Sequence, residues 1–249
     1  MAASDAGARP ADRADLRAGP VVAPALNLKS GGVCLITGPV LFAILRVLHG
    51  DTPAADAEAA LNFVRNRPIY PAVHIFAVLA ASVSLIGLLA LTRSLGRAAS
   101  WLMGQAAVLC GTVGLAIFGV ESTSEGLALP ELARAATVDP SQQAELVRAA
   151  RAVAAVTHGP SLVAIALLIG LPLLLFGIAM VLDEYPSWLA WAGVVIGGVT
   201  ALAALGLFLV PSLFPGFLLY GVLASVVAQS WLLTTGIVML RRSRGPDKV

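Results

Sequence analysis

Residues 160–182 read PSLVAIALLIGLPLLLFGIAMVL, 23 residues without one charged side chain. At about 1.5 Å per residue, a helix of that length spans the roughly 30 Å hydrocarbon core of a bilayer. No polar stripe interrupts the run, so no face of such a helix is built for water. Working outward, five further stretches of comparable character appear at 31–49, 70–92, 100–120, 187–210 and 215–240. The first is the weakest, with Gly38-Pro39 in its middle and Arg46 near its end. The pattern predicts an all-α, six-transmembrane-helix bundle.

The composition agrees. The chain has 249 residues, 58% of them hydrophobic and 12% charged, with a mean hydropathy of +0.89. A soluble domain carries about 25% charged residues. A soluble globular fold, a disordered chain and a nucleic-acid binder are therefore excluded, and the first expected partner is the lipid bilayer. Fourteen of the 16 basic residues are arginine, a bias that with abundant alanine suits GC-rich bacterial coding. Cys34 and Cys110 both lie inside apolar runs, which suits packing rather than a disulfide.

Charge distribution sets the expected topology. With the N-terminus inside, ten basic residues fall on the inner segments (Arg9, Arg13, Arg17, Lys29, Arg93, Arg97, Arg241, Arg242, Arg244, Lys248) and six on the outer ones. The positive-inside rule then predicts both termini in the cytoplasm of a cytoplasmic-membrane protein. Trp101, Trp188 and Trp191 fall at inner helix ends, as an aromatic belt requires. Residues 1–29 read as a disordered cytoplasmic tail, 30–242 as the transmembrane domain and 243–249 as a second tail. Asp5, Asp12 and Asp15 argue against a cleavable signal, leaving the first span as an uncleaved anchor.

Two long loops fall outside. Asp51-Thr52-Pro53 and Asp139-Pro140-Ser141-Gln142 each pair a polar cap with a first-turn proline, and Gln142 can complete a capping box. Behind the second, Leu146, Ala150 and Val153 share an apolar face while Glu145 and Arg148 pair opposite. Each loop is expected to hold a short amphipathic helix lying on the outer interface. A faint parallel repeat, His74 to Ser100-Trp101-Leu102 and His158 to Ser187-Trp188-Leu189, competes with chance similarity between Leu/Ala/Val-rich helices.

Catalytic signatures are absent: no Walker loop, metal-binding His-Glu-x-x-His, nucleophile elbow or Cys-x-x-Cys occurs. Pro39 and Pro172 mark kinks, and Gly193-xxx-Gly197 marks close helix packing, within the bundle or in a homo-oligomer. No ionisable residue stands in the central third of a span, which argues against an ion-coupled transporter. Gln105 and Gln229 are expected to face the bundle.

The ionisable residues at the outer ends carry the functional expectation. Helices one and three end near His49 and Glu121, and helices two and four begin near His74 and His158. All three histidines then share a layer about 5–10 Å deep. Arg46, His49, His74, Glu121 and His158 are expected to form one polar, ligand-binding cluster, with Glu121 the counter-ion of Arg46. No motif calls for a cofactor, although a carboxylate amid imidazoles suits a metal and His74 with His158 could bracket a haem. The bland alternative is that such residues simply snorkel and cap helix ends. The leading functional expectation is binding or permeation of a lipophilic or amphiphilic small molecule through an outer-face pocket. The alternatives are an intramembrane enzyme, such as an acid/base cyclase or hydrolase acting on a lipid or isoprenoid with Glu121 as acid/base, and a non-catalytic assembly partner.

Gly87-Leu88-Leu89-Ala90-Leu91-Thr92-Arg93 after a histidine-led helix, and Glu125-Gly126-Leu127-Ala128-Leu129-Pro130 after the third, carry a loose resemblance. The chain resembles a broad family of uncharacterised six-helix membrane proteins of high-GC bacteria. The resemblance spans roughly residues 31–240; it implies the architecture and transfers no catalytic residue.

Overall fold

The computed structural model describes residues 27–53, 56–210 and 226–244, and every regular element among them is helical. In chain order these are α1 (Leu28–His49), α2 (Ala57–Arg65), α3 (Tyr70–Arg93), α4 (Ala98–Val138), α5 (Gln143–Ile165), α6 (Leu171–Val181), α7 (Ser187–Leu209) and α8 (Ala228–Arg242). A 3-10 turn, Pro140–Gln142, opens α5, and a π-turn, Ala166–Gly170, joins α5 to α6 in one rod. Among the described residues five rods are long and apolar enough to cross a membrane: α1, α3, α4, the α5–α6 rod and α7. The sixth span expected at 215–240 lies partly outside the described residues, and its described part is α8. The tail read at 1–29 lies outside them up to residue 26, and α1 already begins at Leu28, capped by the Asn27 side chain on the Ser30 amide.

Close packing of small residues builds the bundle. α1 packs on α3 and α8, α4 on α3, α5 and α6, and α6 on α7. Lipid is as apolar as leucine, so helices gain by close contact rather than by escape from water. The glycines expected to permit this do so within one chain. A Cβ on Gly197 would stand 2.2 Å from the Leu174 amide nitrogen, and one on Gly177 2.4 Å from that of Val194. Gly193 faces the buried Trp231, whose Nε1 donates to the Leu189 carbonyl at 2.8 Å. Gln229 is buried and Gln105 half-buried. Most deep hydroxyls serve their own helix: Ser82, Ser84, Thr112, Thr234 and Thr235 each donate to the carbonyl four residues back. Cys34 and Cys110 are free thiols.

Pro172 follows the π-turn directly. Proline has no N–H to return to the preceding turn, and the wider π-turn absorbs the break. The outer surface is apolar in long stripes. On α7, Trp188, Trp191, Val195, Val199, Leu202, Leu205 and Phe208 are all exposed at spacings of three and four, a face suited to acyl chains.

The largest departure from the sequence expectation is the 121–158 region. It holds no short helix lying on an interface. α4 instead runs unbroken for 41 residues, about 60 Å, twice a hydrocarbon core. It turns at Asp139 and returns as α5, so the two helices form an antiparallel hairpin that must project beyond the span. Asp139 caps the turn, its Oδ1 accepting from the Ser141 amide at 3.0 Å. Gln142 donates to the Asp139 carboxylate rather than closing a capping box on its backbone. Ala150 and Val153 join the hairpin core as their spacing implied, with Val147 in the place expected for Leu146. Glu145 and Arg148 pair at 3.8 Å outside it.

The 50–69 loop does hold a short amphipathic helix, α2, but it starts later than Asp51-Thr52-Pro53 suggests. Asp56 is the cap, accepting from the Glu58 and Ala59 amides at 3.0 and 3.1 Å. α2 lays Ala57, Leu61 and Val64 against Leu129, Ala133 and Ala150 of the hairpin, with Tyr70 completing the cluster. This small core roofs one end of the bundle. The opposite end carries Arg93, Arg97, Arg241 and Arg242.

Candidate functional site

The roofed end gathers polar side chains from α1, α3 and α4. α1 stops at Gly50, whose φ of 68° lies in the left-handed region that favours glycine. The turn folds the chain end back, so the Gly50 carbonyl accepts from Arg46 Nη1 at 2.6 Å and lies 2.8 Å from His49 Nδ1. Arg67 closes the same helix end by donating to the Leu48 and His49 carbonyls at 2.9 and 3.1 Å. Its guanidinium lies 4.2 Å from the Phe63 ring centroid, which ties α2 to the end of α1.

His74 enters from the second turn of α3, buried to 6% exposure. Its ring packs 4.9 Å from His49 and 4.4 Å from Tyr70, centroid to centroid. Opposite stands Gly126 of α4, where an added Cβ would come within 2.7 Å of the His74 Cβ. A glycine is required there for α4 to pass the imidazole. His74 Nδ1 lies 2.9 Å from the Tyr70 carbonyl.

Tyr70 links roof to site. Its ring is 1% exposed within the apolar cluster, and its hydroxyl donates to Glu125 Oε1 at 2.9 Å. Thr52 Oγ1 stands 3.4 Å from the same hydroxyl. Glu121 lies one turn before Glu125 on the same face of α4, also buried, and accepts from Ser122 Oγ at 3.4 Å. A ring nitrogen of His49, a ring nitrogen of His74 and a carboxylate oxygen of Glu125 all lie within 4.8 Å of one another.

Of the five residues expected to cluster, His49 and His74 meet directly. Glu121 joins their layer through Glu125's face of α4. Arg46 is at the same end but takes a nearer counter-ion than Glu121: Nη2 contacts Asp51 Oδ1 at 2.5 Å. Five residues of chain separate that pair, and the Gly50 turn delivers Asp51 to it. The hydrogen bond and the positive charge of Arg46 hold the Asp51 carboxyl below its ordinary value. His158 sits exposed on α5, its neighbour Gly159 facing Phe208 of α7, and is not one of the three converging ligand residues. Sequence reasoning missed Glu125 and Tyr70. Reading α4 as ending at residue 120 hid that Glu121 and Glu125 are a turn apart on one helix.

The arginine end has its own polar set of a different kind. Asp183, in the turn after α6, accepts from the Gly96 amide at 2.8 Å, the Ser100 hydroxyl at 2.8 Å and the Arg97 amide at 3.4 Å through Oδ2. Its Oδ1 takes the Glu184 amide at 2.8 Å. Burial pushes this carboxyl up, but those four hydrogen bonds outweigh it and hold it below the ordinary value. Arg242 lies over the Tyr185 ring, 3.9 Å from its centroid, and donates to the Glu184 carbonyl. Tyr185 in turn meets Ser94, hydroxyl to hydroxyl, at 2.6 Å.

Compared with known proteins, the chain matches no family profile, no curated protein and no solved structure.

Proposed function

We propose that this protein is a six-span, multi-pass protein of a bacterial cytoplasmic membrane, with both termini inside and the hairpin outside. Its function is to bind the polar head of an amphiphilic small molecule at the layer of His49, His74, Glu121 and Glu125. One observation carries this reading: polar groups from three helices converge beneath a roof while the neighbouring surface is made for lipid. Val47, Leu48, Ile69, Ile75 and Phe76 are all exposed around the same end. A molecule with its tail among such side chains can present its head to the imidazoles and carboxylates. The charge bias that places Arg93, Arg97, Arg241 and Arg242 inside also supports the orientation.

The topology is tested by reporter fusions after Arg67, Pro140 and Gly245, expected outside, outside and inside. A cytoplasmic reading at Pro140 removes the outer-face assignment. The binding role is tested by native mass spectrometry of the purified protein and its Glu121→Gln variant. A co-purifying amphiphile is expected on the wild type; its absence there defeats the reading. A second reading, acid/base chemistry on the bound molecule, draws on the burial of Glu121 beside the cluster. In that case Glu121→Gln retains the ligand intact, and the wild type alone converts it.

A further inference from the structure

The geometry points to a binding site for a divalent transition-metal ion made by His49, His74 and Glu125. The inference concerns the same layer of side chains but does not require the ligand there to be an amphiphile. Each donor comes from a different helix, and α3 packs against both α1 and α4. The three ligand atoms already stand within 4.8 Å of one another. Around a tetrahedral ion with bonds of about 2.1 Å, ligand atoms sit roughly 3.4 Å apart. Closing the set takes shifts of about an ångström, within reach of side-chain rotation.

The three groups are also held in place from behind. A backbone carbonyl can only accept, so the Gly50 and Tyr70 carbonyls fix the proton of each imidazole on Nδ1. Nε2 of both rings is then the lone-pair nitrogen. Metal-binding histidines are held in this way, with the far ring N–H given to a carbonyl or carboxylate. Glu125 is oriented by the Tyr70 hydroxyl on Oε1, with the Glu121 carboxyl beside it on the same face of α4. Two imidazoles and one carboxylate form a three-ligand set of the kind that holds catalytic zinc and other borderline divalent ions. The His49 and His74 rings stand 4.9 Å apart, centroid to centroid, with the Tyr70 ring packed against both.

The test uses the full-length protein in detergent, stripped with a chelator and titrated with Co²⁺, whose visible bands report coordination. One equivalent is expected to bind, to be displaced by Zn²⁺ and to be indifferent to excess Mg²⁺. The His49→Ala/His74→Ala variant is expected to lose this binding, and His158→Ala to keep it. Tyr70→Phe keeps the ring in the roof and removes the hydroxyl that orients Glu125. It is expected to weaken Co²⁺ binding by about 10- to 100-fold at unchanged elution volume, which protects the test should the double variant fail to fold. Absence of Co²⁺ binding by the wild type, or wild-type affinity in both variants, overturns the site. Amphiphile retention is read from mass with or without chelator, so the two readings fail separately.

Discussion

The two ends of the bundle solve opposite problems with similar residues. At the arginine end every polar group of the Asp183 set has its partner: four donors meet one carboxylate, and the arginine rests on a tyrosine. At the hairpin end the side chains are just as firmly positioned, yet each is held from behind. His49 and His74 give Nδ1 to carbonyls, and Glu125 gives one oxygen to Tyr70. One ring nitrogen of each histidine and one carboxylate oxygen of Glu125 lie within 4.8 Å of one another. A saturated polar cluster is a latch that fixes turns; the hairpin-end set is the one we propose receives a ligand. Both sets include buried groups; they differ in how their donors and acceptors are matched.

The comparison breaks most readily at Gly126. Gly126→Ala puts a Cβ against the His74 Cβ at 2.7 Å, so α4 and α3 must separate or the imidazole must move. Overpacking of this kind costs about 1–3 kcal/mol, and metal or amphiphile binding is expected to fall with it. Thermal denaturation in detergent together with Co²⁺ titration checks both. Wild-type binding at wild-type stability would mean that His74 does not need its present seat.

Asp183→Ala is the converse. It leaves the Gly96, Arg97 and Glu184 amides without their side-chain acceptor, while the Ser100 hydroxyl keeps the Arg97 carbonyl at 2.8 Å. Water reaches this turn, so the expected loss is near the lower end for such groups, about 1 kcal/mol. Binding at the hairpin end is expected to be unchanged. A D183A protein that stays fully stable but loses ligand would reverse the assignment of the two ends.

The same carboxylate sharpens the comparison through pH. Its pKa lies below the ordinary value when folded, so its contribution is present above the unfolded carboxylate range. That contribution is lost as pH falls through the depressed value. Melting curves of the wild type should steepen in their acid limb relative to Asp183→Asn, with no difference near neutrality in the slope. Parallel acid limbs would remove Asp183 from the latch. The smallest effect is expected at Asp51, whose side chain is 88% exposed beside Arg46. Asp51→Asn should leave stability unchanged within error, because an exposed pair is screened and Gly50 still receives Arg46.

The membrane-spanning architecture was legible because hydropathy is a property of runs, and runs such as 160–182 and 70–92 are unmistakable. Hydropathy marks where lipid ends, however, and not where a helix ends. Glu121, Ser122 and Glu125 stop the apolar run but each keeps a backbone N–H for the helix, so α4 continues past Pro130 to Val138. Leu129, Ala133 and Ala136, spaced four and three apart, were the available sign of a helix with a new partner. For the same reason the meeting of His49 and His74 was foreseeable from depth alone, while Glu125 was hidden in a presumed loop. Arg46 shows the converse limit. Which acid it takes depends on the φ of Gly50, a turn angle that spacing does not reveal. At the first loop, the Asp56 cap outcompetes Asp51 because its carboxylate reaches two free amides of the first turn.

The central claim is that the hairpin end receives a ligand and the arginine end fastens the fold. Native mass spectrometry of wild type, His74→Ala and Asp183→Ala, purified in parallel, tests it most directly. The account predicts a bound mass on the wild type and on Asp183→Ala, and none on His74→Ala. Equal bound mass on all three, or its loss from Asp183→Ala alone, would contradict it.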